Sequence, residues 1–311
     1  MDSLKSEMAK GYGLLSENRE NGLPQGYFPH WEYNVYGNFM KPKFIKMFHR
    51  GSGSELDKKG AAIYSSSMLG YNFFHWIDEN GVSLTVDGVK TLFTNVYFEV
   101  HLKTLVSSNA PANMDVVLTS KDGKTMLLIE SKLSEYFDSN QFSIRGSYSN
   151  QGNYCCFGRE WSELVVDYRE HATKDRAYYE GVKQNICHLI AINNLAKKDE
   201  KAIEFFKEQN PLIQVDVKNV EKFVFWNLLF DPNKSKFPDQ HKRLVAYGDL
   251  LGELSEKMRE SDLKVKPDKT YRTYSELWDE VCGSIPEDLR VFLWRRYMQF
   301  SNAKTHLEAG S

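Results

Sequence analysis

A single β-hairpin over residues 113–132 constrains this chain more than any other segment. Two runs rich in Val, Leu and Ile flank Lys121-Asp-Gly-Lys124, and Asp-Gly between apolar runs is a strong hairpin signal. With Asp122 and Gly123 as the two loop residues, each position on one strand has a defined partner on the other. The sequence therefore predicts two antiparallel strands of known register.

That register sets two carboxylates, Asp115 and Glu130, directly opposite each other. Lys132 shares their face, because side chains alternate along a strand. Opposed residues have Cβ atoms roughly 4.5–5.5 Å apart, so the two carboxylates repel each other unless a cation lies between them. Oxygen ligands without thiols favour Mg²⁺ or Mn²⁺ over Zn²⁺. A lysine beside such an ion can orient an attacking water, as hydrolysis of a phosphodiester requires.

These residues resemble the signature of the PD-(D/E)xK nuclease superfamily, which has the restriction-endonuclease-like fold. The match consists of Asp115 followed by Glu130-Ser-Lys132 at the end of an apolar strand. Met114 stands where the signature has a proline, which performs no chemistry there. Together with the segment Ser65-Ser-Ser-Met-Leu-Gly-Tyr-Asn-Phe-Phe74, the motif is similar to a family of bacterial restriction endonucleases within the superfamily.

The resemblance implies a restriction-type endonuclease that hydrolyses DNA with Mg²⁺, for which Mn²⁺ can substitute. Asp115 and Glu130 would be the metal ligands, and the Ser131 backbone carbonyl would be a further ligand. Lys132 would orient the attacking water. The substrate partner would then be DNA.

The order of predicted elements points to an α/β fold with a mixed sheet. Residues 55–77 have apolar side chains at helical spacing, and residues 95–103 alternate as a strand with one apolar face. After the hairpin, residues 175–196 have the pattern of an amphipathic helix, and residues 221–230 form a nearly continuous apolar strand. This helix, three strands, helix and strand reproduce the αβββαβ core of the restriction-endonuclease-like fold.

The regions around this core suggest three parts. Residues 1–54 form an aromatic and basic amino-terminal extension, with mainly loops and a short helix near residue 45. Residues 55–235 form the nuclease core, with an insertion at 134–174 that is rich in Ser, Asn, Gly, Tyr and Arg. Residues 236–311 form a helical region packed on the core.

Four shorter helices are predicted outside the core elements. One lies at residues 160–167, inside the insertion, and one at residues 240–259. Thr273 and Glu276 have the spacing of a capping box that begins a third helix. A fourth begins near residue 284 and runs towards residue 300.

Further polar residues are candidates for the site. Glu99 is a candidate third acidic metal ligand, with an ordinary solvent-facing role as the alternative; if the third acid comes from the first helix instead, Glu55 or Glu79 would supply it. Gln184 is a candidate catalytic residue because related nucleases often have Gln on this helix, and a solvated helix face is the alternative. His188, one turn later, is more typical of an ordinary histidine than of a catalytic base.

Basic residues near aromatic ones are candidates for DNA contact, because they bind phosphates while aromatic rings stack on bases. Arg145 and Arg159 in the insertion and Lys183 beside Gln184 are the main candidates. Each is individually more typical of a solvated surface. Weaker candidates are Tyr148, Tyr154, Arg169, Lys41, Lys43, Lys46, Lys264, Lys266, Lys269 and Arg272.

Composition leaves nucleic-acid binding open. A net charge of −2 argues against a protein that coats nucleic acid by bulk electrostatics, but it allows a local basic surface. No apolar stretch is long enough to cross a bilayer, so we expect a cytoplasmic protein without a membrane partner. A homodimer would suit double-strand cutting, although no dimer helix is evident.

Two other functions are compatible with the same residues. One is a non-catalytic module that binds nucleic acid or protein on an inactivated nuclease fold. The other is a nuclease of RNA, or of branched or single-stranded DNA, since nothing in the sequence reads the sugar or a groove. Metal binding and cleavage assays would separate these alternatives.

Overall fold

The computed structural model describes most of the chain, in stretches separated by short gaps. These stretches are residues 3–15, 24–50, 55–107, 110–134, 144–171, 179–259, 261–265 and 271–304. Among the helices in these stretches, none combines the length and the apolar character needed to cross a bilayer.

A mixed sheet organises the described residues. Its six strands are β1 (Val82–Val86), β2 (Val89–Lys103), β3 (Pro111–Ser120), β4 (Thr125–Lys132), β5 (Lys222–Leu229) and β6 (Arg272–Thr273). They lie side by side in chain order. Neighbours from β1 to β4 are antiparallel, whereas β5 runs parallel to β4 and β6 runs parallel to β5. The predicted α/β class with a mixed sheet is therefore confirmed.

The hairpin of β3 and β4 has the predicted register. Leu118 pairs with Leu127, which is the alignment that sets Asp115 against Glu130. The loop differs, because it consists of residues 121–124 rather than two residues. The Asp122 carboxylate accepts a hydrogen bond from the Lys124 N–H at 3.0 Å and holds the turn, so strand pairing stops earlier without changing the register.

Helices cover the sheet on both faces. They are α1 (Ser3–Lys10), α2 (Pro42–Arg50), a π-helix (Glu55–Gly60), α3 (Ser66–Phe74), α4 (Ile77–Asn80), α5 (Gly158–His171), α6 (Tyr179–Ala196), α7 (Glu200–Gln209), α8 (Pro238–Arg259), α9 (Tyr274–Val281) and α10 (Glu287–Arg296).

The single helix predicted over residues 55–77 is wrong. The π-helix, α3 and α4 are separate elements, and non-helical residues lie between them. Ser65 begins α3 as its N-cap, where its Oγ accepts a hydrogen bond from the Met68 N–H at 3.3 Å. Apolar spacing alone could not locate this break, because Ser, unlike Pro, does not interrupt a helical pattern.

Several elements were not predicted. These are α1, α7, β1 and the first part of β2. β1 and β2 form a second hairpin around Asp87 and Gly88, which both have positive φ, 47° and 76°. The same Asp-Gly signal that indicated the first hairpin is present here, between shorter apolar runs.

Other predicted elements are confirmed with shifted ends. α6 ends at Ala196 as predicted, while the predicted start at residue 175 falls outside the described residues. The insertion helix is longer than expected, over Gly158–His171. The capping box of Thr273 and Glu276 is present and begins α9.

The two faces of the sheet carry different helices. α2 and α3 pack on one face, where Phe98 of β2 contacts Tyr71 of α3 with ring centroids 5.4 Å apart. α6 packs on the other face, and α7 and α8 lie beside it. Glu280 of α9 accepts a hydrogen bond from the Thr85 N–H of β1 and pairs with Arg272 of β6. This bridge draws the two outer strands towards each other, so the sheet is curled.

Candidate functional site

A cavity of about 580 Å³ lies where β3 begins and β4 ends. Asp115, Glu130 and Lys132 line it, together with Glu99 from β2 and Gln184 from α6. The fold thus brings candidate residues from three strands and one helix to the same place.

The strands of the hairpin separate at the carboxylates. Regular pairing between β3 and β4 ends at Val116 and Ile129. Beyond it, the Ser131 N–H donates to Asp115 Oδ2 at 2.7 Å instead of to a backbone carbonyl. Because the N–H and C=O of a strand residue point to the same side, the Ser131 carbonyl also faces this gap. A backbone oxygen therefore lies on the same side as the Asp115 carboxylate.

Glu130 and Lys132 form a buried ion pair. Lys132 Nζ lies 2.5 Å from Glu130 Oε1, and the two residues are only 8% and 3% exposed. Burial raises the pKa of Glu130, but the Lys132 ammonium, His188 and a hydrogen bond with Asp115 outweigh burial and hold that pKa below its ordinary value. Glu130 is therefore ionised at neutral pH.

Asp115 is perturbed in the opposite direction. Burial, followed by the negative charge of Glu130, raises the pKa of Asp115 well above its ordinary value, and Glu99 adds to this effect. The Lys132 ammonium opposes the increase without cancelling it. Glu99, Asp115 and Glu130 thus lie together beside the Lys132 ammonium, and the raised pKa of Asp115 favours its protonated form.

Glu99 is buried, with 6% of its surface exposed, so its solvent-facing alternative is wrong. It lies between Phe98 and Val100, which pair with Val116 and Met114, and therefore stands opposite Asp115. Its φ of 50° is in the left-handed region, which is costly for a residue with a side chain. Such strain inside a strand, directed at other acids, is typical of a functional site.

Helix α6 supplies the wall above the carboxylates. Lys183, Gln184, Cys187 and His188 all line the cavity. His188 Nδ1 lies 3.4 Å from Glu130 Oε2, and burial lowers the pKa of this imidazole below its ordinary value. The sequence predicts an ordinary histidine at position 188. Its spacing of one turn from Gln184 nevertheless places both side chains on one face of the helix.

The start of α3 fixes the end of β4. Ser66 Oγ accepts from the Leu133 N–H at 2.8 Å, and the Ser131 hydroxyl lies 2.7 Å from the Tyr274 hydroxyl on α9. Gly70 permits α3 to lie close to β3, because a Cβ at position 70 would lie 3.3 Å from Val116 Cγ2. The motif that began with Ser65 therefore positions the strand that carries Glu130.

The outer part of the cavity is lined by aromatic and basic residues that the sequence did not single out. Lys5 of α1 and Lys59 of the π-helix line it, as do Tyr27 and Tyr64. No local signal connects these four residues with the hairpin, because they lie far from it in the chain.

The remaining DNA-contact candidates lie elsewhere. Arg145 is exposed, and Arg159 is exposed and pairs with Glu163 at 2.9 Å on α5; neither lines the cavity. Arg169 donates to the Ser149 hydroxyl at 2.7 Å. Of the three main candidates, only Lys183 is at the site.

The weaker basic candidates have local partners or lie away from the cavity. Lys41 pairs with Asp78 and Glu79, which places Glu79 outside the cavity as well. Lys43 also pairs with Asp78. The Glu55 side chain, Lys266 and Lys269 lie outside the described residues. Tyr148 and Tyr154 are largely buried in the insertion, Lys46 and Lys264 are exposed away from the cavity, and Arg272 pairs with Glu280.

Among the described residues, no group of three or more His, Cys, Asp or Glu side chains is arranged to hold a metal ion. Any metal here would therefore depend on the Asp115 and Glu130 pair with backbone, water or substrate oxygens. Comparisons with models of known families, with curated proteins and with solved structures give no significant match to this chain.

Proposed function

We propose that this protein is a Mg²⁺-dependent endonuclease that hydrolyses phosphodiester bonds of DNA on a restriction-endonuclease-like core. One observation carries the proposal. Asp115 and Glu130, from adjacent strands, share a cavity with Lys132 beside Glu130.

The topology supports this core. α3 precedes three antiparallel strands, β2 to β4, and α6 then leads by way of α7 to β5, which is parallel to β4. This order agrees with the αβββαβ core that the resemblance implies, with α4 and β1 added between α3 and β2 and α5 added between β4 and α6. β1 and β6 extend the sheet at its two edges.

The residues present suit a hard divalent cation. Asp115 and Glu130 offer carboxylate oxygens, Ser131 offers its carbonyl, and Glu99 adds negative charge, while the Lys132 ammonium lowers the pKa of both Asp115 and Glu130. Mg²⁺ is commonly held by one or two carboxylates and keeps waters and substrate oxygens as its other ligands. When bound, Mg²⁺ would polarise the phosphate and neutralise charge that develops on it.

The chain's own groups have separate tasks. Lys132 Nζ would hold and orient the attacking water, since it lies beside Glu130 at the end of β4. The Ser131 N–H fixes the Asp115 carboxylate. Lys183 and Gln184, on the opposite wall, would bind the non-bridging oxygens of the phosphate.

Cleavage assays with substitutions on one hairpin test this mechanism. We expect Mg²⁺-dependent cleavage of DNA by the unaltered protein, and a decrease of about 100-fold or more in Asp115→Ala and Lys132→Ala. Lys124→Ala is the matched control, because Lys124 lies in the loop of the hairpin and pairs with Glu221. Plasmid, linear duplex and single-stranded DNA are all assayed. Activity unaffected by both cavity substitutions would contradict the mechanism.

A non-catalytic binding module is the second candidate. It is favoured by the direct contact of Lys132 with Glu130, which already satisfies one carboxylate oxygen, and by the described side chains, which form no group of three metal ligands. Calorimetric titration with Mg²⁺ and Mn²⁺ separates the two functions. Binding that is lost in Asp115→Ala supports the nuclease, whereas no binding supports the module.

A further inference from the structure

We propose that Tyr27, Tyr64 and Lys5 form a base-stacking subsite, and that the cavity therefore takes a single DNA strand rather than an intact duplex. The inference rests on the proposed function and specifies its substrate. Tyr27, Tyr64 and Lys5 are called the aromatic wall below.

The aromatic wall is built from distant parts of the chain. Tyr27 forms a β-bridge with Ala62, which brings it beside Tyr64. The two rings have centroids 6.0 Å apart at an angle of 88°, and Lys5 Nζ lies 5.0 Å from the Tyr64 centroid. All three members line the same cavity as Asp115. A cationic group and ring surfaces are thus placed together beside the acids.

The burial of two acids in the cavity favours a single DNA strand as the substrate. Glu130 and Glu99 are 3% and 6% exposed, so a phosphodiester must enter the cavity to reach them. The aromatic wall and Lys183 of α6 line the same cavity. A volume of about 580 Å³ is in the range of pockets for small ligands. A cavity of this volume, equivalent to a cube with edges of about 8 Å, has room for an unpaired nucleotide but not for an intact duplex, whose major groove alone is about 12 Å wide.

The charges are arranged for a strand that passes over the site. Lys5, Lys59 and Lys183 are partly or fully exposed on the lining of the cavity, whereas Glu99 and Glu130 are buried. Flanking phosphates would pair with these lysines, while one base stacks on the tyrosines. Proteins that bind single strands combine such basic contacts with aromatic rings, because every base has a π-face.

Binding of a labelled oligonucleotide, alone or annealed to its complement, tests the subsite. Fluorescence anisotropy is measured with Ca²⁺ in place of Mg²⁺, so that binding is separated from cleavage. We expect the single strand to bind at least about 10-fold more tightly than the duplex, and Tyr27→Ala and Tyr64→Ala to weaken that binding by about 5- to 100-fold. Tyr64→Phe keeps the ring and should bind like the unaltered protein.

Matched controls come from residues outside the cavity. Tyr33 is 49% exposed and does not line it, so Tyr33→Ala should leave binding unchanged. Lys10 lies on the same helix as Lys5 and points away, paired with Glu7. Lys5→Ala should lower the dependence of log affinity on log salt by about 0.7, and Lys10→Ala should not.

The outcomes separate the subsite from the proposed function. Two results would overturn the subsite even if DNA is cleaved. One is duplex binding as tight as single-strand binding. The other is binding by the Tyr27→Ala and Tyr64→Ala variants that equals binding by Tyr33→Ala, while Tyr64→Phe and circular dichroism show a folded protein. Single-strand binding that depends on Tyr27 and Tyr64, without cleavage in Mg²⁺, would support the subsite and contradict the nuclease.

Discussion

Two carboxylates near the ends of the neighbouring strands β4 and β5 have opposite surroundings: Asp115, on β3, lies opposite Glu130 of β4, and Asp231 follows β5. Burial raises the pKa of both groups above the ordinary value. Asp231 accepts hydrogen bonds from the Ser275 N–H at 3.1 Å and from Asn302 Nδ2 at 3.3 Å. These bonds lower its pKa and partly offset burial.

Asp115 has no comparable set of neutral donors. It accepts one hydrogen bond, from the Ser131 N–H, and lies beside the charges of Glu130 and Glu99. An acid that serves only to join segments of a fold can be satisfied by amides, as Asp231 joins β5 to the carboxyl-terminal region. Like charges set against each other cost stability, and under the proposed function a cation between them would relieve this cost.

Metal binding should show the largest difference between the two acids. We expect Asp115→Ala to weaken Mg²⁺ or Mn²⁺ binding by at least about 100-fold, because even residues that only support metal ligands cost 10–100-fold. Asp231→Ala should stay within about 3-fold of the unaltered protein, since Asp231 does not line the cavity. Isothermal titration calorimetry measures both. Equal losses of metal affinity in the two variants would contradict the distinction between Asp115 and Asp231.

For stability without metal, Asp231→Ala should have a larger effect than Asp115→Ala. Asp231→Ala leaves the Ser275 N–H and Asn302 Nδ2 without their acceptor, and we expect it to lower the free energy of unfolding by about 1–3 kcal/mol. Asp115→Ala leaves one N–H without its acceptor but removes a partly exposed group whose ionised form is disfavoured there, so its effect should stay below about 1 kcal/mol. Urea denaturation in EDTA measures both. A larger loss in Asp115→Ala would show that Asp115 is mainly structural.

The pH dependence of the free energy of unfolding tests the surroundings of Asp115 further. Because the pKa of Asp115 is higher in the folded than in the unfolded state, the folded protein binds more protons between the two values. The contribution of Asp115 to stability therefore falls as pH rises through this window and is constant above it. We expect the stability of Asp115→Ala relative to the unaltered protein to increase from pH 4 to pH 8 in EDTA, as measured by denaturation at each pH. A flat difference would contradict the raised pKa.

The smallest expected effect comes from Glu99→Gln. Glu99 contributes less to the pKa of Asp115 than burial and Glu130 do. Removing its charge should therefore lower the pKa of Asp115, and by less than removing the charge of Glu130 would. NMR titration of the Asp115 carboxyl measures the change. The opposite shift would show that Glu99 does not face Asp115 in solution.

The sequence predicted the centre of the site better than its surroundings. Asp115, Glu130 and Lys132 share a face because alternation along a strand and the register of a short hairpin are local properties. Gln184, predicted from the resemblance, and Lys183 beside it also line the cavity. Arg145 and Arg159 were predicted from their nearness to aromatic residues in the insertion and do not line the cavity, since nearness in the sequence does not say which surface a residue occupies.

By itself, the sequence determined an α/β chain with a hairpin that pairs two acids and a lysine, because these depend on neighbours within about one turn or one strand. Tertiary structure decided that Glu99 faces the same acids, through a strained φ of 50° that no local pattern encodes. It also placed Lys5, Tyr27 and Tyr64 at the entrance and His188 against Glu130. Those contacts join residues distant in the chain, and only the packing of helices against a curled sheet brings them together.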